Sequence, residues 1–110
     1  MNKQKISNLL GLAQRAGKLI SGEELVIKAI QEEKAKLVFL ANDAASNLTK
    51  KVTDKGHYYE VQVSTVFSTL ELSTAIGRAR KVVAVVDAGF SKLPKNWARK
   101  VRKSSLVRKN

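Results

Sequence analysis

Two short runs of the chain are apolar at every position: Leu37-Val38-Phe39-Leu40-Ala41 and Val82-Val83-Ala84-Val85-Val86. A strand with one wet face alternates apolar and polar residues, whereas a strand covered on both faces has no need to. Both runs therefore require helices on either side of the sheet that holds them. The rest of the sequence supplies such helices. Ile6, Leu9, Leu10 and Ala13 recur at helical spacing between Asn2 and Ala16, and Gly17 is suited to end that helix in the left-handed conformation. A second helix is expected from about Gly22 to Glu33, with Leu25, Val26, Ala29 and Ile30 as its buried stripe. Ser21 and Glu24 have the spacing of a capping box at its start.

The rest of the chain continues the alternation. Asn42-Asp43 can cap a third helix running to about Lys55, with Leu48 and Val52 inward and Gly56 as its end. Tyr59, Val61 and Val63 alternate with Tyr58, Glu60 and Gln62, which predicts a strand over 57–63 with His57 in a solvated turn at its start. Ser68 and Glu71 form a second capping-box pattern, opening a helix through Leu72, Ala75 and Ile76 to Gly77. The strand over 81–86 follows. Beyond Asp87 lie the only Pro and the only Trp, and a helix is predicted from about Pro94. Strands alternating with helices define an α/β chain: a three-layer α/β/α sandwich around a mixed sheet of about four strands. At 110 residues it suffices for one core. Residues 1–103 are expected to form that single domain, with 104–110 as a basic tail.

Charge narrows the choice of partner. Lys and Arg number 21 against 9 Asp and Glu, a formal net charge of +12. Such a field attracts polyanions, and nucleic acid leads over a membrane surface, which would call for a basic amphipathic helix with bulky apolar anchors. No apolar run approaches the ~20 residues of a membrane helix, and no signal-peptide core follows the N-terminus. Cysteine is absent, which removes thiolate metal sites and disulfides and fits a reducing compartment. A cytoplasmic monomer without metal or cofactor is expected. The single His57 has no nucleophile partner in a recognisable motif, and no phosphate-cradling glycine loop occurs. Asp43 and Asp87 fall at strand ends, where Asp is more often a turn former than an acid or base.

Three loops instead make a candidate RNA face. The first runs from Lys18 to Lys28 and includes Gly22 and a helix N-terminus, whose unpaired N–H groups suit an anion or a base edge. Asn42 and Asp43 lie in the second. The third is Ile76-Gly77-Arg78-Ala79-Arg80-Lys81, apolar and then basic around a glycine bend. Phosphate neutralisation joined to shape readout is the usual mode for structured RNA.

The string Gly22 to Lys28-Ala29, the block Ala35-Lys36-Leu37-Val38-Phe39-Leu40-Ala41-Asn42-Asp43-Ala44 and the later segment Val63 to Gly77 together resemble the kink-turn RNA-binding ribosomal-protein family (archaeal L-seven-Ae and its relatives). The likeness covers about Lys3 to Val86. It implies an α/β/α sandwich that clamps a sharply bent RNA duplex. In that family a Gly-x-Asn-Glu-x-x-Lys string opens the second helix and reads sheared G·A pairs. Gly22 and Lys28 match it. Glu24 stands where Asn is usual and Leu25 where Glu is usual. A carboxylate accepts from guanine N1–H and N2–H₂ but donates nothing, so weaker or retuned binding is expected.

The reading is a non-enzymatic protein that binds kink-turn or similarly bent structured RNA, ribosomal RNA included. Lys18, Lys28, Arg78, Arg80 and Lys81 would neutralise phosphates, Gly22 would admit close backbone approach, Glu24 would contact bases, and Ile76 or Ala79 would pack on an extruded base. The alternative is a ribosome-associated scaffold that binds another protein and has only non-specific RNA affinity. An enzyme using Asp43 or Asp87 ranks last.

Overall fold

The elements α1 (Lys3–Arg15), β1 (Leu19–Ser21), α2 (Glu23–Gln31), β2 (Leu37–Leu40), α3 (Ser46–Tyr58), β3 (Val63–Ser64), α4 (Thr69–Ile76) and β4 (Val82–Val85) follow one another in a computed structural model that describes residues 2–86. Asp87, the helix expected from Pro94, Trp97 and the tail of 104–110 lie outside the described residues.

The sheet has the order β1-β4-β2-β3. β4 runs antiparallel to both β1 and β2, and β2 runs parallel to β3. Alternate residues of the apolar strands feed two separate half-cores, as a period of two requires. Leu37, Phe39, Val83 and Val85 meet Ile6 and Leu10 of α1 and Leu72 and Ile76 of α4. Val38, Leu40, Val82 and Ala84 meet Val26, Ala29 and Ile30 of α2 and Val52 of α3. This is the three-layer sandwich with a mixed, four-stranded sheet. Each fully buried aliphatic side chain contributes about 1.5–3 kcal/mol relative to exposure.

Helix ends show where local signals sufficed. Gly17 has φ 73, and its amide donates to Gln14 O while that of Lys18 donates to Ala13 O, so the last carbonyls of α1 are satisfied by a Schellman turn. At α4, Ser68 Oγ accepts from Glu71 N, the Glu71 carboxylate accepts from Ser68 N, and Gly77 ends the helix in the left-handed region.

Other expectations are corrected. Ser21 does not cap α2. It is the last residue of β1, paired with Val83, and the N-cap is Gly22 without a side-chain bond. Leu25 does not join the buried stripe of α2: it is 60% exposed. Asn42 and Asp43 do not start α3, whose N-cap is Ala45. Nor does Gly56 end it. That residue is buried within the helix, where an added Cβ would stand 2.6 Å from Val63 Cγ2, so the glycine lets α3 lie close on β3. His57 is an exposed residue of the last turn of α3, and the alternation over 57–63 resolves into a helix end, a left-handed Glu60 and a two-residue strand. Val61 and Val63 are nonetheless buried, as the alternation demanded.

Candidate RNA interface

Strand directions gather four connections at one end of the sheet. β1, β2 and β3 end there and β4 begins there, so the β1–α2, β2–α3, β3–α4 and α4–β4 loops share that rim. Backbone bonds continue the ladders into the loops. Gly22 N donates to Val82 O (3.1 Å), Ala41 N to Lys81 O (2.8 Å) and Asn42 N to Phe67 O (2.9 Å). Gly22, Asn42 with Asp43, and the loop that ends at Lys81 are thus brought together.

Gly22 holds φ 98, a conformation that an L side chain resists, and a Cβ on it would meet nothing within 4 Å. The backbone turns sharply there from β1 into α2 and keeps its outer side accessible. Glu23 and Glu24 follow in the first helical turn. The Glu23 carboxylate accepts from Lys51 Nζ of α3 at 2.6 Å. Two carboxylates so near the amino end disfavour a phosphate in that position, since they already complement the positive end of the dipole. Glu24 and Lys28, one turn apart, share a face of α2, and both are exposed. That face carries a hydrogen-bond acceptor and a cation side by side.

Asn42 and Asp43 are exposed, but one Asp43 oxygen is committed internally. Asp43 Oδ1 accepts from Thr69 Oγ1 at 2.6 Å and from Thr69 N at 2.9 Å, which ties the β2–α3 loop to the start of α4. The Thr69 hydroxyl and then its amide hold the Asp43 carboxyl below the usual carboxylate range, and Lys81 adds a smaller pull in the same direction. Asp43 is an anion at neutral pH with a structural task.

In the α4–β4 loop, Gly77, Arg78, Ala79 and Lys81 are exposed and Arg80 is half-buried. Arg80 Nε donates to Ser21 Oγ at 3.1 Å and one terminal nitrogen donates to Ala79 O at 2.8 Å. Ile76 is a correction. It is 6% exposed and packs in the half-core beneath α1, so it presents no face to a base. Ala79 remains as the small exposed residue of that loop. Lys18 is half-buried just before β1, and its backbone carbonyl accepts from Val86 N, at the sheet end opposite the loops. Its backbone therefore stands apart from the basic loop.

Ser21, Thr69, Ser73 and Lys51 organise this rim and did not emerge as site residues from the sequence. Ser21 and Arg80 are 59 positions apart, as recorded by their hydrogen bond, and no local pattern announces such a pair. Among the described residues no group of three or more His, Cys, Asp or Glu could hold a metal ion, and no helix is long and apolar enough to cross a membrane.

A three-layer sandwich with a glycine-opened second helix and a basic loop on the same rim defines a class of ribosomal-type proteins. The chain belongs to the ribosomal protein L7Ae/L30e/S12e/Gadd45 family, which matches residues 4–94. It is 57% identical over 94 residues to the RNA-binding protein YlxQ of Enterococcus faecium, across 86% of this chain and 91% of that one. It is likewise 57% identical over 84 residues to the YlxQ of Bacillus subtilis, across 76% and 84%. The large ribosomal subunit protein eL30 of Tetrahymena thermophila is 31% identical over 98 residues, across 86% and 94%. A solved structure from Bacillus halodurans, of a protein described as of unknown function, superposes with a TM-score of 0.75 at 39% identity, covering 94% of this chain and 98% of that one.

Proposed function

We propose that this protein binds structured RNA of the kink-turn class, or RNA bent in a similar way, across the loop rim of its sheet, and that it does so as a cytoplasmic monomer without catalysis. The observation that carries this reading is the meeting of the Gly22 turn with the basic α4–β4 loop, joined by the Gly22–Val82 and Ser21–Arg80 hydrogen bonds. That junction sets an acceptor, Glu24, and cations from two segments on one rim. A bent duplex exposes phosphates from two directions around unstacked bases, and such a rim can engage both. Relatives named as RNA-binding and as large-subunit ribosomal proteins support the reading and make ribosomal RNA a natural source of the target. In it Lys28, Arg78, Arg80 and Lys81 meet phosphates, Gly22 admits the backbone, Glu24 accepts from base edges, and Asn42 lines the site.

The test is titration of a kink-turn RNA and a straight duplex of equal length with the full chain. The bent RNA should bind more tightly, and Lys28→Ala should weaken it about tenfold, the scale of one lost charge-assisted contact, without lowering the melting temperature. Equal affinity for bent and straight RNA at every salt concentration would leave only the non-specific scaffold.

A further inference from the structure

Arg80 is unusual among the cations of the rim in being held at both its backbone and its side chain. Ser73 Oγ accepts from Arg80 N at 3.1 Å and donates to Arg80 O at 3.2 Å, clamping the backbone as it leaves α4. Ser21 Oγ, on the neighbouring strand, accepts from Arg80 Nε at 3.1 Å. One terminal nitrogen is turned back on Ala79 O at 2.8 Å. The remaining donors belong mainly to the second terminal nitrogen and the outer side of the first, the fork that matches two oxygens of a phosphate. A long side chain normally loses rotamer freedom when it binds, and one already held loses less.

Resting on the RNA-binding reading above, we propose that Arg80 is a pre-set phosphate fork and that Ser21 is a positioning residue for RNA, acting through Arg80 without touching the RNA. The ligand group is a backbone phosphodiester. Arg78 and Lys81, both exposed on the same loop, add charge around this fork.

The experiment measures the dissociation constant of the full chain for one kink-turn RNA over a range of KCl. Wild type is compared with Ser21→Ala, Arg80→Ala and the double variant. Arg80→Ala should weaken binding about tenfold and shallow the log–log salt slope by ~0.7–0.9, one phosphate contact. Ser21→Ala should weaken binding about threefold, the cost of immobilising one long side chain that is no longer held in advance, with the slope unchanged because the charge remains. Added to Arg80→Ala, it should have no further effect. Ser21→Thr, which keeps the hydroxyl, should restore binding. Independently of RNA, nitrogen-15 spectra of the protein alone should show Arg80 Nε–H protected from exchange in wild type and not in Ser21→Ala. Unchanged or tighter binding by Ser21→Ala, or an equal loss in the Arg80→Ala background, overturns the proposal while leaving the RNA reading intact. A wild type that binds no structured RNA ends both.

Discussion

Glu24 and Leu25 are the two positions at which the α2 string departs from the Gly-x-Asn-Glu-x-x-Lys pattern, and both side chains face solvent. Their exposure decides how a restored pair would behave. Replacing Glu24 breaks no capping box, because Ser21 Oγ serves Arg80 instead. A carboxylate at Leu25, a position 60% exposed, is hydrated and stands in the first turns of α2, where negative charge complements the dipole. The double change Glu24→Asn with Leu25→Glu should therefore leave the melting temperature within a few degrees of wild type. It should tighten binding of a standard kink-turn by ~1–3 kcal/mol, by analogy with a bidentate base contact. A well-folded double variant with unchanged affinity would move the base-reading surface off α2, towards the basic loop.

Among the elements, α4 was the most legible, since Ser68, Glu71 and Gly77 act within their own helix. The two apolar strands were equally plain. The start of α2 was not, because Ser21 is claimed by pairing with Val83 and by Arg80, both remote in sequence. Ile76 is hidden from sequence reasoning for a similar reason: the half-core that α4 forms with α1 and the sheet buries it. The role of Gly56 was hidden too, as a buried helical glycine and a helix-ending one are identical in sequence. Gly56→Ala is a direct check. Its Cβ would fall 2.6 Å from Val63 Cγ2 and 3.1 Å from Val61 O, and such crowding costs ~1–3 kcal/mol, read as a lower denaturation midpoint. Acid should loosen α4 first. Asp43 and Glu71 both titrate below their ordinary range, Asp43 chiefly through Thr69 and Glu71 through the Ser68 amide and then Lys3. A carboxyl depressed in the folded state stabilises it above the unfolded value, near pH 4, and loses that contribution as pH falls through the folded value. The melting temperature should drop below about pH 4, and Asp43→Ala should remove part of that dependence.

Across the whole molecule, a formal charge of +12 means that electrostatics will supply much of the affinity for any RNA. In the proposed reading the arrangement of the rim bears on selectivity and the total charge on grip, and salt separates the two. Each neutralised phosphate lowers the log–log slope of affinity against salt by ~0.7–0.9. Contacts from Lys28, Arg78, Arg80 and Lys81 would give a slope of about −2.8 to −3.6 from the rim alone, and further basic residues would steepen it. Truncation before Ser104 removes Arg108 and Lys109 and none of residues 2–86. If those two cations meet RNA phosphates, the slope should shallow by at most ~2 units. The ratio of affinities for bent and straight RNA should hold, because both ligands lose the same sequence-independent contacts. A ratio that collapses towards one would assign the discrimination to the tail and count against the loop rim; a constant ratio with a shallower slope would keep recognition on the rim and general attraction on the tail.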